Sequence, residues 1–216
     1  LAASLSEAID RAALESHAQL CADIGYFNPL GHRDLSLTTS HTDVNCANGA
    51  DGTLSVSASG AAGLKYNWAK FDSKTDADAA LAAKTIGSAF STATVSNVAK
   101  GFYYVAVTDP SVGAGCTLFG DVVEVREPDA LSLSTRSITV PSCDNAVANG
   151  QIIARAEGGT APYTLTLDGY NTVSTETGDY NFTGLLTGNH TLSLTDANGC
   201  TYAGNPALVN VPIYEK

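Results

Sequence analysis

The chain has few charged residues, little positive charge and no long apolar run. Only 15% of its 216 residues are charged, against about 25% in typical soluble domains. Small polar residues take their place, and between β-branched residues they suit exposed strand faces and tight turns better than helical bundles. The composition therefore favours an all-β fold.

Positive charge is scarce, because 11 Lys and Arg residues stand against 22 Asp and Glu residues, for a net charge of −11. Such a chain repels a phosphate backbone, so we expect no nucleic-acid partner. No stretch reaches the 18 or so apolar residues that a membrane span requires, and we expect no span. The first residue is Leu1 rather than Met, which is the form of a mature exported chain and also of a fragment.

The sequence motifs of common enzyme classes are missing as well. The four histidines form no HExxH motif and no i, i+4 pair, and no GxSxG elbow occurs. The glycine-rich run at 113–120 lacks both the spacing of a dinucleotide fingerprint and the lysine of a P-loop. We therefore expect a non-enzymatic protein with no catalytic residue, no metal and no cofactor.

Two sets of aspartates could hold a metal ion or serve in catalysis. Asp72, Asp76 and Asp78 lack the glycine and the distal glutamate of an EF-hand, so a solvated loop is favoured over a calcium site. Asp109 and Asp196 occupy equivalent positions in the two copies of an internal repeat. Turn capping is favoured over catalysis for both.

The sequence contains an internal repeat of roughly 90 residues. In each copy an alternating segment leads to a cysteine, then to a turn rich in Gly, Asn and Asp, then to further alternating runs and a Gly-Cys pair. Alternation with period two is typical of half-buried strands. The first cysteines of the copies are Cys46 and Cys143, and the Gly-Cys pairs end at Cys116 and Cys200.

About six or seven short strands per copy, separated by turns, predict a β-sandwich. We expect two tandem immunoglobulin-like β-sandwich domains, repeat 1 over residues 35–129 and repeat 2 over residues 130–216. Trp68 falls on the third predicted strand of repeat 1 and is expected in its core, where repeat 2 has Leu165. The run at 70–95 has no counterpart in repeat 2 and is expected to be a longer loop, with room for a helical turn.

Five cysteines resolve into two pairs and one left over. Because Cys46 and Cys116 hold the same places as Cys143 and Cys200, each pair is expected to form a disulfide within its own repeat. No CxxC spacing is present, which disfavours metal coordination, and disulfides imply an extracellular or cell-surface location. Cys21 lies outside both repeats and is interpreted either as a small buried residue or as part of an intermolecular disulfide.

Residues 1–34 break the strand pattern. Ser4 to Glu7 fit a capping box, and the helical spacing that follows ends at Gly25, so a short N-terminal α-helix is predicted. A lone helix of this length is marginal in water and needs a surface, either its own first sandwich or a neighbouring subunit. We expect the neighbouring subunit, which would make this segment an assembly arm. The apolar residues of the assembly helix are Leu5, Ile9, Ala13, Leu20 and Ile24.

The second copy carries a recognisable set of motifs. They are Gly-Gly-Thr-Ala-Pro-Tyr at 158–163, Thr-Gly at 187–188 and Thr-Asp-Ala-Asn-Gly-Cys at 195–200. This pattern resembles SprB-type repeats, the immunoglobulin-like extracellular repeats of Bacteroidetes cell-surface adhesins. The first copy departs from it, since it lacks the Pro-Tyr step and has an insertion before its cysteine. The resemblance implies a surface-exposed or secreted repeat that is used in adhesion or filament building and has no catalytic residues.

These features predict a non-enzymatic extracellular structural protein, a subunit of a surface filament or fibre assembled through its N-terminal segment. The alternative is an adhesin or carbohydrate-binding module of a larger secreted protein. The expected partners are further copies of the chain, with surface glycans or other cell-surface proteins for the alternative. A carbohydrate site would use two or three exposed aromatics on one face, but most tyrosines fall on strand positions where core packing is the default.

Overall fold

The computed structural model describes residues 35–111, 116–141 and 147–213. Within these ranges the chain forms fourteen strands and one α-helix, and the strands pair in antiparallel sheets. The chain divides into two compact units. Of the described residues, the first unit comprises those up to Arg126 without the loop Asn45–Gly49, and the second comprises that loop and those from Glu127 onward.

The first unit contains seven strands in its described part. They are β1 (Ser36–Thr42), β2 (Gly52–Ser59), β3 (Lys65–Phe71), β4 (Thr94–Val98), β5 (Gly101–Asp109), β6 (Cys116–Phe119) and β7 (Val123–Val125). One sheet has the order β1-β2-β4, and in the other β5 pairs with β3, β6 and β7. Two sheets that share one core make this unit a β-sandwich.

The core of the first unit lies between these two sheets. Leu54 and Val56 on β2 and Val105 on β5 are buried in one cluster with Trp68. Trp68 has no exposed surface, and its indole N–H donates a hydrogen bond to the carbonyl of Thr92 at 3.0 Å. The expectation that Trp68 packs in the core of this repeat is confirmed.

The run at 70–95 contains a nine-residue helix, α1 (Lys74–Ala82). It begins where the side chain of Ser73 accepts a hydrogen bond from the amide of Asp76, which satisfies one of the open amides of the first turn. The helix contacts β3 and β5, and its buried residue is Ala77. The central residues of β5 are therefore buried on both faces of their sheet.

The second unit also contains seven strands in its described part. They are β8 (Ser132–Thr139), β9 (Gly150–Glu157), β10 (Tyr163–Leu167), β11 (Asn171–Thr175), β12 (Asp179–Leu185), β13 (Gly188–Thr195) and β14 (Ala207–Val211). One sheet has the order β12-β9-β8 and the other β11-β10-β13-β14. Leu165, Leu192 and Leu194 are fully buried with Ile152 and Phe182, so this unit has its own core, with Leu165 where the repeat placed it.

The all-β class predicted from composition is confirmed, with α1 as the helix of the described residues. The two units divide between Arg126 and Glu127, and the loop Asn45–Gly49 belongs to the second unit, whereas the predicted ranges 35–129 and 130–216 placed it in repeat 1. Among the described residues, no helix has the length and apolar character needed to cross a bilayer.

The predicted pairing of cysteines within each repeat is wrong. Cys46 is bonded to Cys200, with an S–S distance of 2.03 Å and Cα atoms 5.6 Å apart. The reason is that the loop carrying Cys46 belongs to the second unit, and equivalent places in two repeats carry no information about distance in space. Cys116 is also disulfide-bonded, to a partner that is neither of these two. Cys143, the expected partner of Cys200, lies outside the described residues.

Candidate functional site

The four-stranded sheet of the second unit has one face in the core and one face open to solvent. Leu165 and Leu194 lie opposite each other on β10 and β13 and face the core. Side chains alternate along a strand, and opposite residues of an antiparallel pair share a face, so the residues between these leucines point outward. The outward-facing residues, which we term the hydroxyl face, are Thr164, Thr166, Thr172, Ser174, Asn189, Thr191, Ser193, Thr195, Leu208 and Asn210.

All side chains of the hydroxyl face except Leu208 carry a hydroxyl or an amide group, and none is charged. The hydroxyls of Thr166 and Thr172 form a cross-strand hydrogen bond at 3.0 Å. The amide of Asn210 donates to the side-chain oxygen of Asn189 at 2.8 Å. Since a hydroxyl or amide can make further hydrogen bonds, the face presents an ordered set of uncharged donors and acceptors to solvent.

The other sheet of the second unit has a charged outer face. The guanidinium of Arg155 forms a salt bridge with a carboxylate oxygen of Glu157 at 2.6 Å. Guanidinium nitrogens of Arg155 and Arg136 lie 3.5 and 3.6 Å from one carboxylate oxygen of Asp179. The hydrogen bond that Arg155 donates to Glu157, together with the charges of Glu157 and Asp179, raises the pKa of Arg155 above its usual value. Of the two outer faces of this unit, the hydroxyl face is therefore the uncharged one.

Two large apolar side chains lie in or beside the hydroxyl face. Leu208 is within it, opposite Thr191, and is 69% exposed. Tyr170 is in the turn between β10 and β11 and is 81% exposed. The tyrosines that lie on strands are buried or half-buried, as their strand positions predicted; they are Tyr66, Tyr103, Tyr104, Tyr163 and Tyr180.

An ion pair braces one end of the hydroxyl face. Nδ1 of His190 lies 2.7 Å from a carboxylate oxygen of Asp168, and Nε2 lies 3.0 Å from the carbonyl oxygen of Leu186. The carboxylate of Asp168 also accepts a hydrogen bond from the amide of Thr191 at 2.8 Å. Because both ring nitrogens of His190 face acceptors, the arrangement favours the protonated ring, which donates from both.

The pKa values of this pair shift toward the charged forms. Burial by itself lowers the pKa of His190, but its hydrogen bonds to Asp168 and to the carbonyl of Leu186 outweigh burial and raise it. Burial by itself raises the pKa of Asp168, but the hydrogen bonds from His190 and Thr191 outweigh burial and lower it. The ion pair therefore holds the turn that carries Tyr170 against the start of β13.

A buried carboxylate holds the turn at the other end of β13. Asp196 is 5% exposed and accepts hydrogen bonds from the amides of Thr160, Asn198 and Cys200, each at 2.9 Å. Gly159 lies against it with φ of +57°, and a Cβ there would come within 2.8 Å of the carboxylate. Only glycine suits such a position, which accounts for the second glycine of the 158–163 motif.

Asp109 and Asp196 cap turns, as predicted from their equivalent positions in the two repeats. In the first unit Asp109 accepts hydrogen bonds from the amide and the hydroxyl of Ser111 at 2.8 and 2.6 Å. Of Asp72, Asp76 and Asp78, the last two bond residues at the start of α1: Asp76 accepts a hydrogen bond from the hydroxyl of Ser73 at 2.8 Å, and Asp78 pairs with Lys74. In the ranges that the structure describes, no three His, Cys, Asp or Glu side chains are grouped to hold a metal ion.

Several predicted site residues lie outside the described residues, and the predictions made for them stay predictions. They are the assembly-helix residues Leu5, Ile9, Ala13, Leu20 and Ile24, and the cysteines Cys21 and Cys143.

Sequence reasoning missed the hydroxyl face and the His190–Asp168 pair. The first had a signal, since hydroxyl residues alternate with leucine in β10 and β13. The second had none, because the two residues are 22 positions apart and meet only through the pairing of β10 with β13.

No family model matches the chain, and no curated protein matches it. Among solved structures the chain is similar to a C-terminal 282-residue fragment of intimin in complex with the intimin-binding domain of the translocated intimin receptor. The identity is 15% and the TM-score 0.39, over 82% of this chain and 63% of the fragment, so the chain spans less than two thirds of that fragment's length. It is also similar to fibronectin(III)-like modules of CbhA from Clostridium thermocellum, with 14% identity and a TM-score of 0.33 over 82% of this chain and 94% of that one.

Proposed function

We propose that the chain is an extracellular, non-enzymatic adhesive protein and that the hydroxyl face of the second unit is a contact surface. The observation that carries this proposal is an open sheet face with no charged side chain on a chain of net charge −11. A partner can cover such a face at low cost, because no ion has to give up its water. The hydroxyls and amides supply the hydrogen bonds that orient the partner.

The bonding of the acidic and imidazole groups supports a binding role. Asp196 accepts three backbone amides, Asp109 accepts the amide and hydroxyl of Ser111, and both ring nitrogens of His190 face acceptors. A general acid or base must instead reach a proton of the substrate. These groups hold turns in place, which fits a scaffold better than a catalyst.

The disulfide chemistry supports an extracellular location. Cys46 and Cys200 form a disulfide, and Cys116 is in another. Disulfides persist in oxidising surroundings and are rare in the reducing cytosol. The SprB-type resemblance agrees with this proposal and stays a prediction.

Assembly into a filament through residues 1–34 also stays a prediction, because that segment lies outside the described residues. The adhesive role is favoured over the filament because the hydroxyl face, which the structure describes, supports it. The two roles are compatible on one chain, since they use different segments.

The proposal is tested by coating beads with the purified full chain and measuring their adhesion to intact bacterial cells and to plates coated with cell-surface extract. We expect saturable adhesion that Thr172→Asp lowers, because the new charge lies on edge strand β11 of the hydroxyl face. The matched control is Thr139→Asp, an exposed threonine on edge strand β8 of the charged sheet, which should adhere like the parent chain. No adhesion, or equal loss in both variants, would rule out the hydroxyl face as the contact surface.

A further inference from the structure

We infer that the ligand of the hydroxyl face is a neutral, polyhydroxylated glycan chain. The inference rests on the proposed adhesive function and names the chemical class of the partner.

The charge of the sheet disfavours acidic ligands. Strands β10, β11, β13 and β14 contain no Asp, Glu, Lys or Arg, and their one histidine, His190, lies opposite buried Val209 and so faces inward. Nucleic acids and anionic membranes gather on Lys and Arg side chains, and acidic or sulfated glycans carry the same kind of charge. A chain of net charge −11 repels all of these, so a neutral ligand fits best.

The hydrogen-bonding groups repeat in rows across the sheet. Neighbouring strands are about 4.8 Å apart, and outward residues follow each other at about 7 Å along a strand. Every hydroxyl can donate and accept, as sugar hydroxyls do, so a regular array suits a chain of repeated sugar units. One row is Ser174, Thr164 and Thr195, and the next is Thr172, Thr166 and Ser193.

The exposed apolar side chains add apolar surface to the hydrogen-bonding groups of the face. Leu208 lies within the array and is 69% exposed, and Tyr170 at the adjoining hairpin turn is 81% exposed. Ligand sites combine apolar surface with a few placed polar groups. The ten residues of the hydroxyl face do not include the two or three aromatics expected of a carbohydrate site, and the apolar surface comes instead from Leu208 and from Tyr170 at the turn. The C–H face of a sugar ring can rest on Leu208 while its hydroxyls meet the neighbouring side chains.

A protein partner is less favoured by the same residues. Binding energy at protein interfaces is concentrated in Trp, Tyr and Arg, whereas Ser, Thr and Leu are under-represented among the important contacts. The ten residues of the hydroxyl face include no Trp, Tyr or Arg. A neutral glycan therefore fits the face better than a protein partner does.

The first unit offers an internal comparison. Its sheet β1-β2-β4 also exposes hydroxyls that form cross-strand pairs, Ser36–Ser59 at 2.8 Å and Thr42–Thr53 at 2.9 Å, as Thr166 and Thr172 do on the hydroxyl face. None of these three strands, all within the described residues, carries a large exposed apolar side chain. If apolar surface is needed beside the hydroxyls, this sheet should not contribute to binding.

The test measures binding of the full chain to immobilised dextran, mannan and cellulose, which are neutral, and to alginate and heparin, which are charged. We expect binding to at least one neutral polysaccharide, with little dependence on salt. Thr172→Asp and Leu208→Ser should each weaken it about tenfold or more, equal to about 1.4 kcal/mol. Thr139→Asp on the charged sheet and Ser57→Asp on the outer face of β2 should leave it unchanged.

Folding of each variant is checked by circular dichroism and melting temperature. Should Thr172→Asp fail to fold, Thr172→Val removes the hydroxyl, keeps the β-branched shape and should still weaken binding. The inference is overturned if no neutral polysaccharide binds, if alginate or heparin binds better, or if Ser57→Asp or Thr139→Asp weakens binding as much as Thr172→Asp.

Failure of the inference can be told apart from failure of the proposed function. Adhesion to cells that Thr172→Asp lowers, without binding to any neutral polysaccharide, keeps the contact surface and overturns the glycan. Adhesion that disappears after protease treatment of the cells would identify a protein partner, which also overturns the inference.

Discussion

At the scale of single residues, the side chains of two buried tyrosines are hydrogen-bonded to backbone carbonyls. The hydroxyls of Tyr103 and Tyr104 donate to the carbonyls of Ala99 and Thr85 at 2.8 and 2.6 Å. Burial, with a smaller contribution from the charge of Asp72, raises the pKa of Tyr103 to about 12. These aromatic rings are therefore structural, and Tyr170 is the exposed tyrosine of the described residues.

His190→Gln tests the ion pair at the end of the hydroxyl face. Because the pKa of His190 is raised, the stability that this residue contributes to the folded state is complete below the ordinary histidine pKa of 6.5. It is lost as the pH rises through the raised pKa. Because the pKa of Asp168 is lowered, its stabilisation is present above its ordinary value of 3.8 and is lost as the pH falls through the lowered value. The variant should lose about 1.5–3 kcal/mol of unfolding free energy near pH 5, and less at higher pH.

Urea denaturation at several pH values measures this difference. The matched control is His41→Gln, because the ring of His41 is more exposed and lies 3.9 Å from the nearest carboxylate oxygen, on Asp43. The control should change stability little at any pH. A loss in His190→Gln that stays constant from acid to alkaline pH would contradict the assignment of a charged pair.

At the scale of secondary-structure elements, a turn stabilises the second unit and the helix α1 stabilises the first. The turn after β13 is organised around Asp196, and the sheet β3-β5 of the first unit is covered by α1. Each feature can be tested by one substitution with a close control.

Asp196→Ala should destabilise the second unit by about 3 kcal/mol or more, because three backbone amides lose their acceptor in a buried place. Asp196→Asn is the matched variant: it keeps one oxygen and should lose less. Chemical denaturation measures both. Equal stability of Asp196→Ala and the parent chain would show that water replaces the carboxylate without cost.

Ala77→Leu should destabilise the first unit by about 1–3 kcal/mol, because Ala77 has no exposed surface and a larger side chain pushes α1 away from the sheet. The control is Ala79→Leu, an exposed position on the same helix, where the same change of propensity applies without overpacking. Thermal denaturation distinguishes them. A parent-like melting temperature for Ala77→Leu would mean that α1 is not packed as described.

At the scale of the whole chain, the Cys46–Cys200 disulfide fastens a loop from the early part of the sequence into the second unit. Its cysteines are 154 residues apart in the sequence. The loop Asn45–Gly49 is also held by a hydrogen bond, which the side chain of Asn198 donates to the carbonyl of Asn45 at 3.2 Å. A cross-link over so long a stretch restricts the unfolded chain strongly.

The double variant Cys46→Ser, Cys200→Ser should therefore lose about 2–5 kcal/mol of unfolding free energy. Peptide mapping without reduction should recover a linked peptide pair from the parent chain and none from the variant. Recovery of Cys46 linked to Cys116 instead would restore the pairing within the repeat and contradict the structure.

Sequence alone was sufficient for properties that depend on neighbouring residues. Alternation places Leu165 and Trp68 in the cores because a strand shows every second side chain to one face, and that rule needs no knowledge of the partner strand. Turn capping by Asp109 and Asp196 was also predictable, since aspartate bonds the backbone a few residues onward.

The tertiary structure alone decided which distant residues meet. The partner of Cys46, the ion pair of His190 with Asp168 and the ten-residue hydroxyl face each depend on strand register and on which unit a loop joins. Local patterns do not encode these choices, because they are set by the burial and hydrogen bonding of the whole unit at once. The sequence by itself determined the all-β class and the core positions, and folding determined the covalent link and the surface on which the proposed function depends.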